Sequence, residues 1–255
     1  MRNKDIIEIA MQQSAIDSNC SMDDFMRADN KIVLSGKNPD ARRYLKLPFH
    51  CDLTSYGNNI VASVSEELKE IVEKYIEKYP VEHCFETPNL LVLIEKLKPF
   101  DLNVCFMAEY FLPDMNSLKR LSCGYETKLM HPEELTEYYL PQWNNALTQS
   151  DPQRDKLAVG AFDHGKLIGL AACSADCDTL WQIGIDVLPE YRKQGIASSL
   201  TSNLATQLLE MEIVPFYCCA WSNLKSTRNA IKSGFRPAWV QATVKENQFI
   251  AGMNK

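Results

Sequence analysis

The chain has 255 residues, 45% hydrophobic and 24% charged, with a net charge of −6 and a pI of about 5.3. That length suits one large domain or two small ones with a real core, and the composition is that of a soluble globular protein. Residues 1–121 carry −4 and the remainder −2, so neither half is a basic surface for nucleic acid, while a mildly acidic one suits an amine-bearing substrate.

The opening MRNKDIIEIAMQQSAI has Asp5 and Glu8 where a signal peptide needs an unbroken apolar stretch. It reads instead as a short amphipathic helix with Ile6, Ile7, Ala10 and Met11 on one face. NNIVASVS reads as a strand. SEELKEIVEKYIEK reads as a helix with Ser65 as N-cap and Leu68, Ile71, Val72, Tyr75 and Ile76 as its apolar stripe. Thr87 and Pro88 mark the N-cap and first turn of the helix NLLVLIEKLK, and LNVCFMAEYF is an apolar run of strand length. Residues 50–112 therefore form a small α/β unit. LPDMNSLKRLSC has no clear period and marks a boundary, giving domains 1–121 and 122–255.

Beyond the boundary YETKLM is a short strand, and HPEELTEYYLPQWNNAL a helix bent or split at Pro141. KLAVGAF and KLIGLAACSA are strands joined by the turn DHG. LWQIGIDVL alternates, with Trp181, Ile183, Ile185 and Val187 on one face and Gln182, Gly184 and Asp186 on the other. IASSLTSNLATQLLEM has helical period, stacking Ile196, Leu200, Leu204, Leu208 and Met211. VPFYCCAWS is a strand. NLKSTRNAIKSGF is a helix with Leu224, Thr227, Ile231 and Phe235 on one face and Gly234 at its C-terminal end, and RPAWVQATVKEN closes as a strand. The nine cysteines are scattered without a CxxC pair, and the four histidines lack tight ligand spacing. This points to reduced thiols in a cytoplasmic protein with no metal site. No run reaches the ~18 apolar residues of a membrane span.

The stretch PEYRKQGIASSL stands between an apolar strand and a helix. The first turn of a helix offers unpaired N–H groups and the positive end of its dipole, a site for phosphate. Gly195 lets the backbone approach a ligand closely, Ala197 and Ser198 keep the next turn small, and Arg192 and Lys193 add charge. The nucleotide-loop patterns GxxxxGK[ST] and GxGxxG are both absent. Arg192-x-x-Gly195-x-Ala197 resembles instead the pyrophosphate loop of the GNAT acetyltransferases. A second matching element follows downstream: a strand, then Asn223-x-x-Ser226, then a helix ending in Gly234–Phe235. The resemblance covers residues 122–247. It implies a mixed-sheet α/β fold, an acyl-CoA-binding domain preceded by a smaller α/β domain.

The resemblance further implies acetyl transfer from acetyl-CoA to the amine of a small molecule or peptide, by direct attack on the thioester. Chemistry then needs a pyrophosphate cradle, an oxyanion donor, a base and an acid for the thiolate. Lys193, Gln194, Gly195, Ile196, Ala197 and Ser198 with Arg192 would form the cradle. The main chain of Ile185, Asp186 and Val187 would supply the oxyanion donor and also pair with the pantetheine arm. Asn223 would bond the same arm, and Ser226 would give the thiolate its proton; capping of a helix by both is compatible with these roles. Many family members use a tyrosine where this chain has Ala230, and a strand glutamate where it has Trp181 and Gln182. The base stays open among Asp186, Glu109 and water. Cys218 and Cys219 lack a histidine nearby in sequence to activate a thiolate. Trp181, Trp221 and Trp239 are expected in the core or an acceptor-pocket wall, and His83 in a loop. A rival reading is a non-catalytic acyl-CoA binder, and a third an α/β protein with no ligand. The oligomeric state stays open.

Overall fold

The computed structural model describes residues 1–255. In chain order the elements are α1 (Asn3–Ser18), β1 (Lys31–Leu34), β2 (Cys51–Ser55), β3 (Val61–Val64), α2 (Lys69–Lys78), α3 (Thr87–Leu97), β4 (Leu102–Pro113), β5 (Glu126–Met130), α4 (Pro132–Leu135), β6 (Asp155–Asp163), β7 (Lys166–Ser174), β8 (Leu180–Val187), α5 (Ile196–Glu210), β9 (Val214–Ala220), α6 (Leu224–Lys232), β10 (Phe235–Glu246) and α7 (Asn247–Met253). The class is mixed α/β, as expected. The chain's contacts divide it into one unit of Met1–Ala10 with Phe111–Pro237 and another of Met11–Tyr110 with Ala238–Lys255. The sequence suggests a single cut after residue 121. The difference arises at the termini. Asn3 exchanges hydrogen bonds with Asp114 and Met115, and Val240–Thr243 of β10 pair antiparallel with Asp52–Ser55 of β2.

In the second unit the strands run in the order β1-β3-β2-β10-β4. α2 and α3 bury Val72, Ile76, Leu93 and Leu97 in a core with Leu53, Ile60 and Val64. α2 begins later than its period suggests, because a 3-10 turn occupies Glu66–Leu68; the Ser65 side chain makes no capping bond. Likewise Glu86, not Thr87, holds the cap position of α3. Trp239 is buried here, stacked on Tyr110 with centroids 4.5 Å apart. His83 lies in a 3-10 turn, Glu82–Phe85.

In the first unit β5 to β8 form an antiparallel meander, and α5 carries the chain across to β9, parallel to β8. The β6–β7 turn has His164 and Gly165 both at positive φ, 47° and 80°, the backbone of a tight two-residue hairpin. Residues 131–147 are not one bent helix. A four-residue α4 is followed by separate 3-10 turns at Thr136–Tyr138 and Pro141–Trp143. The segment's side chains Leu135, Trp143, Ala146 and Leu147 pack on β5, β6 and β7, which fixes it without a helical repeat.

α5 buries Ile196, Leu200, Leu204 and Leu208, whereas Met211 lies past the helix end and is exposed. Its polar residues tie down the segment that precedes β5. Ser199 and Asn203 donate to the Leu121 carbonyl, and Ser202 accepts from the Leu121 N–H. α6 departs most from its sequence pattern. Leu224 and Ile231 face outward, more than half exposed, and Ala230 is the residue fully buried. The surface beneath α6 is polar, which explains the inversion. Asn229 donates to Thr201, Ser233 to the Ser198 carbonyl, and Cys219 meets Thr227. Gly234 ends α6 at φ 92°, and a Cβ there would lie 2.5 Å from Leu118 Cα.

Candidate active site

β8 pairs with β7 as far as Val187, but with β9 only over Leu180–Gln182 against Val214–Phe216. Past that point the two strands part. A cleft of about 850 Å³ occupies the gap, lined by Gln182–Val187, Tyr217–Cys219, the turn before α5 and one face of α6. Strand alternation makes the gap open on both faces of the sheet. Ile183, Tyr217 and Cys219 belong to the core under α5, while Gln182 reaches Cys218 at 3.3 Å, and Asp186 meets residues 145 and 146, on the other side.

The turn after β8 is stapled by Arg192, whose Nε donates to the Val187 carbonyl at 2.9 Å. Lys193 and Gly195 adopt the left-handed region, φ 65° and 84°. α5 starts at Ile196, directing its free N–H groups into the cleft mouth. A Cβ at Gly195 would meet only Lys232 Nζ, at 3.9 Å, so the space above this glycine is left for a ligand. Ile185, Asp186, Val187, Arg192, Lys193, Gly195, Ile196, Ala197, Ser198, Asn223 and Ser226 all line the cleft. Gln194 does not: its Oε1 accepts a bond from Tyr125 Oη at 2.8 Å, away from the cleft. The sequence reading missed Lys225, Arg228 and Lys232, which recur at i, i+3 and i+7 along one side of α6 and join Arg192 and Lys193. Five cations against one carboxylate, in a chain of net charge −6, make this mouth a site for a polyanion. Loop, open glycine and cations together could hold the phosphate groups of a ligand.

Residues 118–235 match the family model of the acetyltransferase (GNAT) family. The C-terminal half of this chain has the GNAT acetyltransferase fold, with an additional N-terminal domain. Among solved structures, the chain is similar to a GCN5-related N-acetyltransferase-like protein from Streptococcus suis (18% identity, TM-score 0.45, covering 60% of this chain and 66% of that one). It is similar also to a GNAT-family acetyltransferase from Colwellia psychrerythraea (19%, 0.44, 56% and 57%) and a GCN5-related N-acetyltransferase from Kribbella flavida (16%, 0.47, 63% and 64%). The chain thus spans 57% to 66% of the length of these structures, less than two thirds of each. No curated protein matches it.

Against the GNAT pattern, the second element is in place. Asn223 Oδ1 accepts from the Ser226 N–H at 3.2 Å, so the asparagine caps α6, and Ser226 Oγ lies 2.8 Å from Tyr217 Oη. Ala230, at the position of the family's tyrosine, is completely buried. The sequence reading did not single out Tyr217, which is buried on β9 with its hydroxyl at the cleft. Burial pushes its phenol up; bonds with Ser226 and Asn229 oppose that shift. Asp186 is not free to act as a base. Its carboxylate accepts from Asn145 N, Asn145 Nδ2 and Ala146 N at 2.8, 2.7 and 3.0 Å. Glu109 belongs to the second unit, where burial pushes its carboxyl up. Trp181 packs on the core and donates to the Cys177 carbonyl, whereas Trp221 is exposed, just past the end of β9. No group of three or more His, Cys, Asp and Glu residues is arranged to hold a metal ion, and no helix is long and apolar enough to cross a membrane.

Proposed function

We propose that the chain is an N-acetyltransferase that moves an acetyl group from acetyl-CoA to an amine of a small molecule or peptide, by direct attack on the thioester. The observation that carries this reading is the cationic cleft mouth above Gly195, at the point where β8 and β9 part. The N–H groups of Lys193 to Ser198 would hold the pyrophosphate, with Arg192, Lys225, Arg228 and Lys232 around it. The backbone of Ile185 and Asp186 would pair with the pantetheine arm; the Val187 carbonyl already accepts from Arg192. Asn223 would bond that arm while capping α6, and the hydroxyl pair of Ser226 and Tyr217 would stand at the leaving thiolate. The N-terminal domain would supply acceptor contacts or an interface, in a cytoplasmic protein.

A thermal-shift titration with acetyl-CoA on the native chain and Gly195→Glu tests the reading. A ligand at about 100 times its Kd adds about 2.7 kcal/mol of apparent stability. The native chain gains this shift and Gly195→Glu, with its carboxylate in the cradle, does not. No shift in the native chain refutes the proposal. A second reading, an acyl-CoA binder without turnover, draws support from Ala230 and from a cleft whose one carboxylate is engaged. Thiol release with a panel of amines separates the two: binding without release selects the second.

A further inference from the structure

We infer that Tyr217 is the proton donor to the departing thiolate, with Ser226 as its positioning residue. The inference rests on the acetyl-transfer reading and assigns a role within it. Tyr217 follows Phe216, the last residue of β9 paired with β8, so it stands at the apex of the gap. Its side chain is 3% exposed and lines the cleft beside Ser226, which lines it too. Phe111 and Phe235 wedge the ring, with centroids 6.4 and 6.3 Å away. Ser226 Oγ holds the hydroxyl at 2.8 Å, and Asn229, further along α6 and also in the cleft lining, is anchored on Thr201 Oγ1 at 3.1 Å.

Acidity favours the phenol over the serine. A phenol, ordinarily of pKa about 10 and raised further here by burial, still lies much closer to a thiol of about 8.5 than an aliphatic hydroxyl does, so the proton transfer is less uphill from Tyr217. An aliphatic hydroxyl is a far weaker acid. Burial keeps Tyr217 protonated at neutral pH, as a donor must be. In the step, the C–S bond breaks and its electron pair goes to sulfur. Tyr217 gives the Oη proton to sulfur, and the phenolate is held by a bond donated from the Ser226 hydroxyl. It regains a proton from water as product leaves, matching the proton that the acceptor amine loses to water. The hydroxyl absent at Ala230 is thus supplied from β9, where Tyr217 meets Ser226 of the same helix α6.

Calorimetric binding of CoA and of desulfo-CoA, which lacks the sulfur, tests this without turnover. Native protein binds CoA more tightly by about 2- to 10-fold, the range of one hydrogen bond. Tyr217→Phe keeps the ring and its packing, so it binds both equally, with desulfo-CoA affinity unchanged. With an acceptor amine its kcat falls about 100-fold or more, while KM for acetyl-CoA stays within about 2-fold. Ser226→Ala reduces the CoA preference in part. Full preference in Tyr217→Phe, or its complete loss in Ser226→Ala alone, overturns the assignment while leaving the acetyl-CoA reading intact. Native protein that binds neither ligand overturns both.

Discussion

Three glycines of the first unit separate folding from ligand binding. Gly195→Ala places a methyl in the left-handed region, at φ 84°, with Lys232 Nζ as its nearest neighbour at 3.9 Å. There is no overlap, so the cost is backbone strain alone, about 1–2 kcal/mol or a few degrees in Tm. Gly184→Ala would put its Cβ 1.9 Å from the Asn145 carbonyl oxygen, and Gly234→Ala 2.5 Å from Leu118 Cα at φ 92°. Both overlaps are with backbone, which cannot rotate away. Each adds about 1–3 kcal/mol of overpacking, and Gly234 has the left-handed strain as well. By thermal melting, Gly195→Ala is therefore the most stable of the three. It is also the one with a methyl in the space above the loop. At a ligand concentration giving the native protein about 2.7 kcal/mol, a tenfold loss of affinity halves the acetyl-CoA shift to about 1.4 kcal/mol. We expect at least that loss in Gly195→Ala. A full shift in Gly195→Ala would refute the placement of a phosphate against this glycine.

Other predictions concern charges. Asp17 and Arg42 form an ion pair in the second unit with both side chains only 2% exposed. Arg42→Leu strands the Asp17 carboxylate and costs about 3–5 kcal/mol in urea unfolding. Asp52 is buried among donors from Gln241, Thr243 and Thr54, yet burial outweighs them and raises its carboxyl above the ordinary 3.8. The folded state then binds this proton more tightly than the unfolded state, so the Asp52 contribution to stability improves as pH falls from neutral through the raised pKa, and worsens as pH rises. Asp52→Asn removes that component, flattening the pH–stability curve between neutral pH and the ordinary carboxylate value. Asp186→Ala leaves the N–H groups of Asn145 and Ala146 without their acceptor and costs about 1–3 kcal/mol by thermal melting.

Local signals carried much of this architecture. Alternation in LWQIGIDVL and the helical period after Gly195 describe β8 and α5, because each buries one face on a single apolar layer. α6 failed the same logic. Its buried side meets Thr201, Ser198 and Cys219, so small and polar residues pack inward and Leu224 and Ile231 point out. Residues 131–147 failed because Pro141 and the grip of Asp186 on the turn at 145–146 override their helix-like composition. The cleft lining was legible where it is nearly contiguous, from Arg192 to Ser198 with Gln194 turned away. Tyr217 was not, since nothing in VPFYCCA states where pairing with β8 ends. The cations of α6 had a usable signal in their spacing, and pattern reading spent that helix on its apolar residues instead.

The charge of the cleft gives a last test that is independent of the hydroxyls. Arg192, Lys193, Lys225, Arg228 and Lys232 line the cleft and are proposed to act on the phosphate end, whereas Tyr217 is proposed to act on the sulfur. Exposed cations are screened as the Debye length contracts from about 10 Å at 0.1 M salt to 3 Å at 1 M. Affinities for CoA and desulfo-CoA should therefore fall together with salt, keeping their ratio. Lys232 lies beside Gly195, so Lys232→Ala should weaken both by about 0.2–1 kcal/mol, the range of a surface ion pair, again with the ratio unchanged. A ratio that moved with Lys232 would mean that this lysine acts on the sulfur as well. Salt-independent binding would mean that the cations do not hold the ligand, and the phosphate end would have to lie elsewhere.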